Sequence, residues 1–491
     1  MRSFIFLAVF GLLAACGRPD AHHEIRMALA QAPINLDPRY ASDAASERVN
    51  RLIYRALVDF DEASRPRPDL ADWQVIAPDH YRFRLSHADS RFHDGTSLDA
   101  ADVAATYHSL LALKDSPHTA EFANISSISV VNDDTVDFFL HQPDDMFPSR
   151  LIMGILPAEK VGAKHDFSRQ PVGNGPLRFV SWKGVLQLER IADGQAFLLQ
   201  EVKDPTVRVL KLLRGEIDML QGDLPPELVK YLKRQAGIRL DEVSGSNYSY
   251  LGFNLRDAQT GNLLVRRAIA HAIDRRAILR DVLVGGSRAA GAILPPEHWA
   301  GNRNLPAYDY DPQLARKLLQ EAGVQLPLKL VYKTSTDAQR VRLATVMQAQ
   351  MRDAGIELEI LSLDWGTFFD DVKHGKFQLY GLTWVGIRTP EIYRLAFHSQ
   401  SVPPRGANRG RFGDSVTDDL IARADWHAVS ARVNELLPYV PLWYEGQFVA
   451  MRKNLSDYAI KPDGNWDGLA TVRKTAMSQH QWAESARAHA D

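Results

Sequence analysis

Strand and helix periodicities alternate along this chain, which predicts an α/β fold with parallel strands, spread over two or three lobes. Three observations carry that expectation. LKLVYK (328–333) reads as a strand; Leu343, Met347, Met351 and Ala354 then repeat on one helical face that Gly355 stops. IELEILSL (356–363) follows, with Ile356, Leu358 and Ile360 alternating onto one face as a strand requires. Strand, helix, strand in that order is a βαβ unit, which implies a parallel pair. At 491 residues the chain also exceeds what one hydrophobic core usually serves.

The remaining elements are punctuated in the same way. FQLYGLTW (377–384) reads as the next strand. Asp311 caps a helix, Pro312 takes its first position, Leu314, Leu318 and Leu319 point inward, and Gly323 ends it. In NLLVRRAIAHAID, Val265, Ala268, Ile269, Ala272 and Ile273 fall on one face, with Arg266, Arg267 and His271 turned away from it. Residues 256–440 therefore read as one α/β lobe. The earlier half holds scattered short strands: YRFRL (81–85), TVDFFL (135–140) and LRFVSW (177–182). Between them RFHDGTSLDAADVAATYHSLLAL (91–113) gathers His93, Asp94, Asp99, Asp102 and His108. Asp99 stands as the N-cap of a helix whose apolar face is Val103, Tyr107, Leu110 and Leu111. Asp102 lies in the first turn, where the helix dipole favours a negative charge. Asp94-Gly95 is a turn pair, and the two histidines lack the spacing that aims both at one ion, so the cluster reads as structural.

Charge and cysteine content narrow the function. Fifty-eight basic and 60 acidic side chains leave a net charge of −2, with no basic excess to point to a nucleic-acid partner. FIFLAVFGLLAA (4–15) is too short to span a bilayer, and after Met1-Arg2-Ser3 it reads as an export signal. Leu13-Ala14-Ala15-Cys16 resembles a lipobox, which implies cleavage after residue 15 and a lipid anchor on Cys16. Cys16 is the single cysteine, which excludes an internal disulfide and a CxxC site. The last residues, 476–491, form a polar tail. GxSxG, HExxH, P-loop and GxGxxG motifs are absent from the sequence, and no cofactor is expected.

FHDGTSLDAADV (92–103) is also the point where a family resemblance emerges. With INLDPRYASDAASERVNRLIYRALVDFD (34–61), GNGPLRFVSW (173–182), LLRGEIDML (212–220), YLGFNL (250–255), VRRAIAHAIDRRAIL (265–279), YDPQLARKLLQEAG (310–323) and PYVPLWYEGQFVAM (438–451), it forms an ordered series. That series resembles the solute-binding proteins of bacterial ABC importers, in their large oligopeptide-, dipeptide- and nickel-binding family (family 5). The resemblance implies a bilobal, hinged periplasmic-binding-protein fold of type II, in its three-subdomain variant. The first lobe is then 24–38, 165–255 and 448–475; 39–164 is an inserted subdomain; 256–447 is the second lobe. The chain would cross between lobes after Phe253-Asn254 and near Trp443-Tyr444. The implied protein is a monomeric, extracytoplasmic lipoprotein that captures a small, peptide-like solute in the cleft and hands it to membrane permease subunits, without catalysing a reaction.

Ligands of open α/β sheets sit beyond the carboxyl ends of strands, and Trp384 ends such a strand. It offers a flat wall, or else closes the sheet as a core ring; Gly386 lets backbone approach. In the family a carboxylate that pairs with a peptide's α-amino group stands where this chain has Ile387, in Trp384-Val385-Gly386-Ile387. An isoleucine cannot pair with an ammonium, so either the ligand lacks a free amine there or another acid, such as Glu391 or Asp364, substitutes. Arg388 suits a carboxylate or phosphate, or is a solvated loop arginine. Tyr250, Trp365 and Tyr444 are further aromatic candidates that read equally well as core, and Asn254 and Asn35 offer amide hydrogen bonds. His398 stands without a partner at metal-ligand spacing. A ligand-sensing or chaperone-like lipoprotein, and more remotely a secreted hydrolase, are the alternative readings.

Overall fold

Residues 24–86, 90–283 and 285–475 are described by a computed structural model; the export segment, Cys16 and the C-terminal tail lie outside the described residues. The predicted βαβ unit is present. Strands Leu328–Ser335 and Ile356–Leu363 pair in parallel, joined by helix Ala338–Arg352. The alternation in IELEILSL works as expected at its start: Ile356 and Leu358 are buried, Glu357 and Glu359 exposed. Strand Leu379–Trp384 joins the other edge of Leu328–Ser335, again in parallel.

These strands belong to one large sheet. Its spatial order is 356–363, 328–335, 379–384, 238–253, 439–452, 219–221, 25–29, 196–201, 185–190 and 177–183. Two long antiparallel strands, Ile238–Phe253 and Tyr439–Arg452, tie the halves of the sheet together. They pair from Ile238 with Arg452 to Val243 with Gln447, and again from Asn247 with Glu445 to Gly252 with Tyr439. Between those stretches the register slips. Glycines explain why the backbones approach so closely there: a Cβ on Gly245 would lie 1.7 Å from the Glu445 carbonyl oxygen.

The hydrophobic residues separate into distinct clusters on either side of that slip. Ile25, Leu52, Phe197, Met219, Val449 and Leu469 pack at one end of the sheet. Leu251, Ile269, Leu330, Met347 and Val440 pack at the other, with a tyrosine-rich cluster of Tyr248, Tyr250, Tyr380, Tyr439 and Tyr444 on the opposite face. A third region has its own core around Phe83, Tyr107, Phe138 and Phe147. It carries a four-stranded antiparallel sheet, ordered 71–77, 80–85, 135–140 and 125–132, with helix Ala100–Ala112 packed on it.

The titratable cluster at 91–113 is spent on this architecture. Asp99 accepts from the amides of Ala101 and Asp102, and Asp102 accepts in return from the Asp99 amide, a capping box. Asp94 accepts from Thr96 and pairs with Lys160 at 3.2 Å. His93 Nε2 donates to the Gly175 carbonyl, and His108 is exposed. Among the described residues no group of three or more His, Cys, Asp or Glu is placed to hold a metal.

Two helix faces differ from the expectation. Arg266 does not face solvent: it is 5% exposed, and its guanidinium donates to the carbonyls of Thr260, Gly261 and Leu436. Those carbonyls lie in a turn and at a helix C-terminus with no backbone donor to spare, and a planar fork reaches several at once. In helix Pro312–Glu321, Ala315 and Leu319 are fully buried while Leu314 and Leu318 are half-buried, because the small alanine allows the closest approach to helix Leu263–His271.

Candidate functional site

The site grows from the loop that follows strand Leu379–Trp384. Gly386 has φ of +70°, which an L-residue with a side chain seldom adopts, and it turns the chain so that Arg388 points across to the other half of the protein. The Arg388 guanidinium lies 5.5 Å from the centre of the Phe60 ring and 3.5 Å from the Asp463 carboxylate. Its carbonyl accepts from His298 Nε2. Burial, and then the charge of Arg51, lowers the proton affinity of Arg388, against which Asp463, Asp59 and Asp467 work.

Beneath this loop lies a cavity of about 910 Å³. Val385, Gly386, Arg388 and Thr389 close one side. Helix Ala44–Ile53 forms the facing wall with Glu47, Arg48, Asn50 and Arg51, followed by Tyr54. The segments 118–122, 149–154 and 463–470 contribute further lining, with residues of 55–60, 174–176 and 190–192. The helix begins cleanly because Asp43 caps it, accepting from the Ser46 amide. Val49, Leu52 and Ile53 anchor it to the core, which leaves Glu47, Asn50 and Arg51 along the cavity.

Most of the charge in this wall is paired. Arg51 bonds Asp59 and Asp467, Arg55 bonds Asp69, and Arg150 bonds Asp144 and reaches Glu391 at 3.9 Å. Burial opposes the charge on Arg51, but Asp467 and Asp59 outweigh it and raise its proton affinity. Arg48 rests on the Trp466 ring at 5.5 Å. Two carboxylates stand apart from these pairs. Glu47 has no hydrogen-bond or ion-pair partner for its carboxylate among the described residues, and Glu121 has only His118 at 3.9 Å. Both residues are exposed, yet the protein around them pushes both carboxyl groups upward, opposed by the positive field of His118 and then of Arg388 at Glu47 and Arg150 at Glu121.

Of the residues singled out in the sequence, Gly386 and Arg388 line this cavity. Trp384 sits just behind the loop, its ring 4.6 Å from the guanidinium of Arg409. Ile387 packs half-buried against the tyrosine-rich cluster. Tyr250 lies within that cluster, stacked on Tyr439 and accepting from Arg409; Tyr444 is buried and donates to the carbonyls of Ala292 and Leu294. Asn254 donates to the carbonyls of Gly375 and Phe377, and Trp365 is 56% exposed, stacked on Phe369. Asn35 accepts from the Asp37 amide and borders a separate cavity of about 610 Å³ with Asp37, Arg39 and Lys164. Asp364 caps helix Trp365–His374, and His398 is 3.9 Å from Asp418. Glu47, Asn50, Arg51, Glu121 and Asp463 went unremarked in the sequence. Their only signal was a polar stripe on an amphipathic helix and charged loop residues, which read as ordinary solvent-facing surface.

Two halves of one sheet, tied by paired strands and facing each other across a charged cavity, are the layout of a protein that encloses a solute. The chain belongs to the bacterial extracellular solute-binding proteins, family 5, whose middle-region model matches residues 65–402. It is 26% identical to the probable di/tripeptide-binding protein 5 of Pseudomonas aeruginosa (strain UCBPP-PA14), over 94% of this chain and 98% of that one. It is 25% identical to heme-binding protein A of Haemophilus influenzae, over 89% of each chain. The fold matches the ABC transporter substrate-binding protein CtaP from Listeria monocytogenes with a TM-score of 0.83 at 20% identity, covering 92% of this chain and 99% of that one. Among the described residues no helix is long and apolar enough to cross a membrane.

Proposed function

We propose that this protein is an extracytoplasmic receptor that closes on a short peptide or peptide-like solute and delivers it to an ABC importer. The observation that carries this reading is the cavity of about 910 Å³, walled from both halves of the molecule and lined with charges of both signs. A zwitterionic solute with polar amide bonds suits such a wall better than an apolar one. The di/tripeptide-binding relative supports the same ligand class. Residues 24–38, 165–255 and 448–475 make the first lobe, 39–164 the inserted subdomain and 256–447 the second lobe; the separate hydrophobic clusters support this division except at Leu251 and Phe253, which pack in the second lobe's core. Helix Ala44–Ile53, although within 39–164, packs its apolar face on the first lobe's core. Closure works because the solute touches both lobes only when they are shut, so binding shifts the equilibrium of the hinge at 243–247 and 445–447. Gly386 and Arg388 contact the solute directly, and Trp384 backs the loop that carries them. Cys16, acylated after removal of residues 1–15, anchors the monomer to a membrane.

Thermal unfolding of the purified protein with di- and tripeptides, haem, nickel chelates and oligosaccharides tests the assignment. A true ligand at a hundred times its Kd adds about 2.7 kcal/mol of stability. Stabilisation by haem or a nickel chelate, with none by peptides, would refute it.

A further inference from the structure

The resemblance implies an amine-pairing acid at the position of Ile387, which carries no charge, so a peptide's positive end needs another partner. The opposite wall of the cavity supplies one. Glu47 and Glu121 both line it, and neither carboxylate is neutralised at close range: among the described residues Glu47 has no hydrogen-bond or ion-pair partner and feels His118 and Arg388 only at longer range, and Glu121 reaches His118 only at 3.9 Å. His118 is itself engaged, its Nε2 donating to the Ala41 carbonyl at 2.6 Å. A position in the first turn of helix Ala44–Ile53 makes a negative charge at Glu47 tolerable, but it does not account for the second carboxylate, which comes from another segment.

An independent feature marks the same wall as unfinished. Asn50, one helical turn beyond Glu47 and on the same face, is 8% exposed and lines the cavity. Both its side-chain nitrogen and its side-chain oxygen are buried without a hydrogen-bond partner among the described residues. A buried amide with neither its donor nor its acceptor satisfied costs free energy that a ligand amide recovers, since a peptide group offers one acceptor and one donor.

We propose that Glu47 and Glu121 hold the cationic group of the solute, an ammonium in the first instance, with Asn50 bonding the adjoining amide. This places amine recognition on the wall opposite Arg388, formed by helix Ala44–Ile53 and the segment 118–122, rather than on the loop after Trp384. The assignment rests on the peptide reading above and adds to it which wall reads which end of the peptide.

The test uses the full chain in mild detergent, titrated calorimetrically with three probes: a pool of unmodified tripeptides, the same pool N-acetylated, and an N-acetylated pool that contains lysine. Glu47→Gln, Glu121→Gln and the double variant are compared with the parent, with melting temperature as the check on folding. The expected result is that the unmodified pool binds the parent about tenfold or more tightly than the acetylated one, and that the double variant abolishes this preference. Binding of the lysine-containing acetylated pool, lost in the double variant, assigns the cation to a side chain and equally upholds the carboxylate pair. Equal binding of free and acetylated peptides, unchanged in the double variant, overturns the inference while leaving the peptide reading intact. No binding of any pool to the parent overturns both.

Discussion

Arg388 is one of the side chains that reach from one half of the molecule to the other, beside Arg150–Glu391 and Arg342–Glu227, and Arg388→Met measures its share of that contact. Methionine keeps an apolar stem over the Phe60 ring and removes the charge 3.5 Å from Asp463. At that distance and an effective dielectric of 20, Coulomb's law gives an attraction of about 5 kcal/mol. Much of it is cancelled. The Arg388 side chain is 19% exposed and that of Asp463 31%, Arg51 repels the guanidinium, and withdrawing it from water has a cost. The net loss is then about 1–2 kcal/mol, a shift of about five- to thirtyfold in the closed-to-open ratio. Asp463 keeps its bonds from the Asn465 amide and side chain, so no buried charge is stranded. Single-molecule energy transfer between dyes on the two halves, measured without ligand, reads the ratio directly. The closed-to-open ratio should fall by that factor while the melting temperature stays nearly constant, because each half retains its own core. An unchanged distance distribution, or a large drop in melting temperature, would refute the argument that this contact acts between rigid halves.

Two further expectations concern groups buried away from the cavity. Arg266→Met should destabilise the protein by about 2–3 kcal/mol in urea unfolding, since it strands the carbonyls of Thr260, Gly261 and Leu436; a loss below about 0.5 kcal/mol would show that water replaces the guanidinium. Burial holds the Arg266 guanidinium down to about 10, so the contact persists at neutral pH with the charge in place. His298 is 5% exposed, donates from Nε2 to Arg388 and accepts at Nδ1 from the Ala300 amide, and burial lowers its proton affinity. The unfolded chain therefore takes up the proton first. The stability His298 contributes is complete above its ordinary value of about 6.5 and is lost as pH falls below that toward the depressed folded value. The difference in unfolding midpoint between pH 7.5 and 5.5 should shrink in His298→Gln; an identical difference in both proteins would exclude this ring as a contributor.

Local signals in the sequence were read well where the physics is local. The Asp99 capping box, the Pro312 helix start, the Gly355 stop and the alternation of Ile356 and Leu358 depend on neighbours within a few positions, and the structure realises each. Arg266 was misread because helical periodicity separates polar from apolar faces, yet has no means of showing that a second helix end, at Leu436, lies opposite. The slip between Val243 and Asn247 has no such local signal. Its position is set by backbone contact of Gly245 with Glu445, two residues some two hundred positions apart in the chain.

What the sequence by itself determined is the set of strands and capped helices and their α/β order, which follow from short-range spacing, and a family resemblance carried by an ordered series of motifs along one dimension. Only the tertiary structure decided the content of the cavity. Glu47, Asn50 and Glu121 look like solvated surface in one dimension, and they become a shared wall opposite Arg388 when the inserted segment, the first core and the loop after Trp384 fold against one another. Charge in a folded protein takes its meaning from enclosure and from the nearest opposite charge, and both are distances that a linear chain does not contain.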